Sequence, residues 1–78
     1  MRHQTPRIKA ADTVVAKFKL TPAEARTLER LLNGSTPTEI AGELGVALPT
    51  VRTHLSNIFA KTGAARQADL IRLAAQFV

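Results

Sequence analysis

Apolar residues recur along most of this chain at intervals of three and four, the spacing of one helix face rather than the alternation of a sheet. In residues 22–33, Ala25, Leu28, Leu31 and Leu32 share a side, and Arg26, Glu29 and Arg30 lie mostly outside it. In 37–44 the stripe is Ile40, Ala41 and Leu44. In 48–62, Val51, Leu55, Ile58 and Phe59 fall at i, i+4, i+7 and i+8, which at about 100° per residue covers roughly a third of the circumference. Opposite them lie Pro49, Thr53, Ser56, Asn57 and Ala60, flanked by Arg52 on one side and by Thr50, His54 and Lys61 on the other. Residues 67–77 carry two stripes, Leu70-Leu73-Ala74-Phe77 and Ala68-Ile71-Ala75-Val78, about 100° apart. So wide an apolar arc means either that this last helix is nearly surrounded or that its second stripe meets another molecule.

Local signals punctuate the same segments. Thr21-Pro22-Ala23-Glu24 and Thr36-Pro37-Thr38-Glu39 both read Thr-Pro-x-Glu. The threonine hydroxyl accepts an orphan N–H of the first turn, the glutamate returns a bond to the threonine N–H, and proline at the first helical position loses no donor. Asn33-Gly34, Gly45 and Gly63 supply stops. Ala47 is a poor cap, so Leu48 and Pro49 set the start of the 48–62 helix. The pattern predicts an all-α, four-helix bundle. Its short 37–44 helix, Gly-containing turn and 48–62 helix have the layout of a helix-turn-helix.

The first twenty residues are less decisive. Residues 1–11 are polar and basic with no period, and read as a flexible basic tail, linker or arm. In 12–19, Val14, Ala16, Phe18 and Leu20 alternate as in a strand, while Val14, Val15 and Phe18 share a face if Asp12 caps a short helix. No partner strand exists elsewhere to satisfy a lone strand's backbone. A short helix near 12–18, or an extended lead-in that docks Phe18, is the expectation, with the domain proper at 20–78.

The 78 residues hold 11 Lys and Arg against 6 Asp and Glu, for a net charge of +5. The charge is unevenly placed: residues 1–20 carry +4 and residues 21–78 only +1. Bulk charge therefore hints at a polyanionic partner without locating it. The absence of cysteine excludes a disulfide framework, a thiolate zinc site and a cysteine nucleophile. No apolar run approaches the roughly 20 residues that span a bilayer, and a cytoplasmic location with no membrane partner is expected.

Catalysis finds no footing. His3 and His54 are the only histidines, His54 and Ser56 point in different directions on one helix, and neither has a spaced acid there. No carboxylate pair has metal-ligand spacing and no Gly-rich phosphate loop occurs. No enzyme, cofactor or metal is expected.

The polar face of 48–62 offers different chemistry. Its N-terminal half is built from small hydroxyl and amide side chains and one arginine, a profile that fits a major groove about 12 Å wide. Arg52 can pair bidentately with guanine and Thr53 can offer a methyl to thymine. Asn57 and Lys61 follow one and two turns on, suited to bases or phosphates. The start of 37–44, with backbone N–H groups and the Thr36 and Thr38 hydroxyls, suits a phosphate. Taken singly, Arg52 is equally a solvated arginine, and Thr53 and Ser56 are ordinary surface; their joint position on the second helix of a helix-turn-helix gives them weight.

The run Leu20-Thr-Pro-Ala-Glu-Ala, then Gly34, Glu39-Ile-Ala, Leu44-Gly-Val and Thr50-Val-Arg-Thr-His-Leu-Ser-Asn-Ile-Phe-Ala-Lys-Thr-Gly resembles the LuxR-type (FixJ/GerE-like) DNA-binding domain over residues 20 to about 76. The resemblance implies a four-helix domain whose third helix enters the major groove and whose fourth makes a dimer contact on DNA. It implies base-facing roles for Arg52, Thr53 and Ser56, and positions near the DNA backbone for Thr50, His54, Asn57 and Lys61. Ala68, Ile71, Ala75 and Val78 would then form the dimer interface. Thr38 departs from the basic residue frequent in that family, Ala47 and Arg66 from its usual capping residues, and Ser56 from a frequent basic or amide residue. The implied partners are double-stranded DNA, a second copy on DNA and RNA polymerase. The implied activity is that of a bacterial transcription regulator, as a response-regulator output domain cut from a longer chain or as a stand-alone protein. A helical protein-interaction module that binds no DNA is the rival reading.

Overall fold

A computed structural model of the chain describes residues 6–76, with side chains described from Ala11 onward. Five helices follow one another: α1 (Pro6–Phe18), α2 (Pro22–Leu32), α3 (Pro37–Leu44), α4 (Leu48–Thr62) and α5 (Gln67–Ala75). Among the described residues there is no strand. The fold is all-α and contains the expected helix-turn-helix in α3 and α4; among the described residues a fifth helix joins the four of the expected bundle, over the stretch where a short helix near 12–18 was one of the two expectations.

The extra helix is α1. The tail expected over 1–11 gives way to helical backbone from Pro6, and residues 1–5 lie outside the described part. Pro6 stands at the first helical position, where proline suits a start. Ala11, Val14, Val15 and Phe18 then recur at i, i+3, i+4 and i+7. Ala11 and Val14 are fully buried, and Val15 and Phe18 pack half-buried against the core. This helical period prevails over the competing alternation through Ala16 because only the helix satisfies the backbone locally. Asp12 caps nothing; it lies exposed inside the helix. Lys19 ends α1 in the left-handed region, φ 57°, where the Leu20 N–H reaches the Val15 carbonyl at 3.1 Å.

Both capping boxes form. The Thr21 hydroxyl accepts from the Glu24 N–H at 3.2 Å and the Thr21 N–H donates to Glu24 Oε1 at 2.9 Å. The matching distances for Thr36 and Glu39 are 3.2 and 2.8 Å. Gly34 closes α2 with paired bonds, Ser35 N–H to the Arg30 carbonyl and Gly34 N–H to the Leu31 carbonyl, the Schellman arrangement. α5 starts at Arg66 without a side-chain cap; Asp69 compensates by accepting the Ala65 N–H at 3.2 Å.

The core joins one stripe from each helix: Ala11 and Val14, Leu28, Leu31 and Leu32, Ile40 and Ala41, Val51, Leu55 and Ile58, Leu70 and Ala74. α4 packs on α2 and α3, whereas α1 packs on α2 and is the principal neighbour of α5. The body therefore has two ends. α3 and α4 occupy one, and α1 with α5 the other. On α5, Leu70 and Ala74 turn inward while Ala68, Ile71 and Ala75 are exposed, Ile71 to 45%. The helix is thus not surrounded, and its second stripe faces solvent. Phe77 and Val78 lie outside the described residues. Among those residues no helix is long and apolar enough to cross a membrane.

Candidate nucleic-acid interface

The site is built on α4. Val51, Leu55 and Ile58 are buried and hold the helix against α2 and α3. Its other side is therefore presented outward, and Pro49, Thr50, Arg52, Thr53, Ser56, Asn57 and Ala60 are all exposed. Arg52 makes no hydrogen bond or ion pair with the described residues, so its guanidinium keeps all its donors for an external acceptor. Ser56, Asn57 and Thr50 are likewise without side-chain partners there. His54 is half-buried at the edge of the face.

Thr53 is different. Its hydroxyl donates to the Pro49 carbonyl one turn back, at 3.1 Å. This is the back-bonded arrangement of threonine inside a helix, and it commits the hydroxyl proton.

The α3 start is more occupied than a bare helix end. The capping box takes the N–H groups of Thr36 and Glu39, Pro37 has none, and the Ile40 N–H meets the Thr36 carbonyl at 2.8 Å. The Thr38 N–H is the one donor of that turn left unpaired among the described residues. The open N–H groups expected there reduce to this one, beside the exposed hydroxyls of Thr36 and Thr38 and the exposed Glu39 carboxylate. Arg30 and Glu43, 3.3 Å apart, tie α2 to α3, and Ser35 donates to the same carboxylate at 3.2 Å.

Lys61 stands apart from the other expected contacts. Its ammonium lies 2.7 Å from Glu24 Oε1, joining the last turn of α4 to the first turn of α2. Glu24 is only 3% exposed. The Lys61 hydrogen bond holds its carboxyl below the ordinary value of 4.5, against burial, which pushes it upward; the Thr21 N–H adds to the lowering. Sequence reasoning gave Glu24 only its capping role, since nothing in the sequence shows that a lysine 37 positions away folds onto it.

The structure thus places Arg52, Thr53, Ser56, Asn57 and Thr50 on one exposed face, His54 at its margin, Thr36 and Thr38 on the neighbouring helix start, and Lys61 in an ion pair. Ala68, Ile71 and Ala75 lie on α5, which packs at the α1 end of the body. Two open grooves, of about 260 Å³ along Thr62, Asp69, Arg72 and Leu73 and about 400 Å³ between Arg30 and Glu43, include none of the exposed α4 residues named above. Among the described residues no group of three or more His, Cys, Asp or Glu is arranged to hold a metal ion.

Among known protein families, the model for GerE, bacterial regulatory proteins of the luxR family, matches residues 19–74. No solved structure matches the chain. The match takes in α2, α3 and α4 and nearly all of α5, and it begins after α1.

Proposed function

Because the chain belongs to the luxR family of bacterial regulatory proteins, carrying that family's helix-turn-helix DNA-binding domain, we propose that α4 enters the major groove of double-stranded DNA and reads its sequence. The observation that carries this reading is the outward face of α4: one unpaired arginine among small side chains, on a helix whose opposite side is locked into the core. Arg52, Thr53 and Ser56 would face base edges. Thr36, Thr38, Thr50, His54 and Asn57 would lie along the phosphates and fix register.

Two copies would meet through Ala68, Ile71 and Ala75, with Val78 beyond the described residues. The exposed second stripe of α5 supports this contact. Two half-sites one helical turn apart would then raise affinity and specificity together. Regulation of transcription in the cytoplasm, with RNA polymerase as a further partner, follows as the physiological reading.

Salt titration of duplex binding, followed by selection of bound duplexes from a random pool, tests the proposal. Binding is expected to weaken as salt rises, with log K falling by about 0.9 per phosphate neutralised, and selection to return a two-fold-related motif. No duplex binding at low salt would leave the rival, a helical module that docks on another protein.

A further inference from the structure

Glu24 and Glu39 occupy the same place in the same four-residue motif, and each accepts the N–H of its capping threonine. Glu39 is exposed and meets no cation among the described residues. Glu24 is buried, and the oxygen that serves the cap also accepts the Lys61 ammonium. A capping box needs no lysine, so the cap does not account for the pair.

The place of Lys61 on α4 is informative. It lies about 90° around the helix from the middle of the Val51-Leu55-Ile58 stripe, at about 100° per residue. An apolar stripe holds a helix to a core but resists rotation about its axis weakly, because hydrophobic contact is non-directional. A charge-assisted hydrogen bond set to one side resists that rotation directly. Rotating α4 by about 10° would move a side-chain tip at a radius of ~5–6 Å by ~1 Å. That displacement exceeds the roughly 0.5 Å range of good hydrogen-bond lengths. Arg52, Thr53 and Ser56 stand on the face that such a rotation swings.

We propose that Glu24 and Lys61 are a positioning pair for the reading face of α4. Lys61 acts on DNA through Glu24, by fixing the rotational setting of the helix, and not by contacting phosphate. The proposal rests on the major-groove reading above and assigns Lys61 a different role from the backbone contact that its family position implies.

The test compares the full chain with Glu24→Gln, Lys61→Met and the double variant. Each is measured on a duplex selected from a random pool and on a random-sequence duplex of equal length, over a salt series. Glu24→Gln keeps an acceptor for the Thr21 N–H, and amide spectra well below the unfolding temperature establish that each variant is folded. Each single variant is expected to weaken the selected duplex about 5- to 100-fold, the size of one lost base contact. The random duplex and the salt slope stay nearly unchanged, and the double variant is no worse than either single one.

Equal losses on both duplexes for Lys61→Met, with a slope lower by about 0.9, overturn the proposal. So does a Glu24→Gln protein that binds as tightly as the parent or tighter, since that change releases Lys61 for phosphate. Should Lys61→Met fail to fold, Glu24→Gln decides alone by the same readouts. A parent chain that binds no duplex removes the major-groove reading and the pair's role with it. A parent that binds selectively, beside a Lys61→Met protein with the lowered slope, removes only the pair's role.

Discussion

Lys61 Nζ and Glu24 Oε1 lie 2.7 Å apart although 37 residues separate them in sequence. The contact converts two local features, a helix cap and a last-turn lysine, into one tertiary restraint between α2 and α4. It also gives the fold an acid-sensitive joint.

Acid is expected to weaken that joint in a defined window. A carboxyl held below its ordinary value in the fold contributes stability that is fully present above the unfolded value, 4.5 for Glu24, and is lost as pH falls through the lower folded value. The melting temperature of the parent should therefore decline below pH 4.5, and the gap between parent and Glu24→Gln should shrink there. Asp69, also lowered, by its Arg72 hydrogen bond, adds a loss below its ordinary 3.8 that both proteins share. Thermal melts between pH 7 and 3 check this; a gap that stays constant with pH would assign the effect to packing.

Arg52→Ala should leave stability within about 0.5 kcal/mol, because the side chain is exposed and unpaired. Binding to the selected duplex should fall by about 1–3 kcal/mol and preference at one base position should relax. An equal loss on random DNA would reassign Arg52 to phosphate.

Ile71→Glu tests the exposed stripe of α5. At 45% exposure the residue is not part of the core, so the monomer should melt nearly unchanged. Affinity for a single half-site should be retained while the advantage of paired half-sites is lost. A protein that keeps that advantage would place the dimer contact elsewhere.

Integration of α1 predicts an effect that its sequence alone conceals. Val14→Ala removes two methyl groups from a fully buried site and should cost about 1.5–3 kcal/mol. Removing residues 1–11 takes Ala11 out of the core and should lower the melting temperature as well. A deletion that melts like the parent would make α1 an appendage. Lys19→Gly, at the left-handed turn between α1 and α2, should instead stabilise by about 0.5–1 kcal/mol, because glycine adopts φ 57° without the side-chain penalty.

What the sequence made legible was local. Thr-Pro-x-Glu twice and glycines at 34, 45 and 63 bracket α2, α3 and α4, because caps and left-handed stops act over four residues and need no partner elsewhere. Val51, Leu55 and Ile58 marked the inner side of α4 and thereby its outer face. The second half of α1 was one of two readings, because Val14 and Phe18 fit both a helical face and an alternating run, and its first turns were concealed because Arg7, Lys9 and Ala10 show no apolar period. The burial of Glu24, and with it the use of Lys61, is a consequence of how α4 crosses α2, which no single-helix pattern contains.

With α4 in the major groove as proposed, the Thr53–Pro49 hydrogen bond restricts what a base beneath Thr53 can be asked. With its proton spent on a carbonyl within the helix, the side chain keeps lone pairs and a methyl group. It can receive from the amino group of adenine or cytosine and can touch the methyl of thymine. To the acceptor-only major-groove edge of guanine it has no proton to give. One letter of the chain's binding alphabet is thereby struck out at that position by a bond the protein makes with itself.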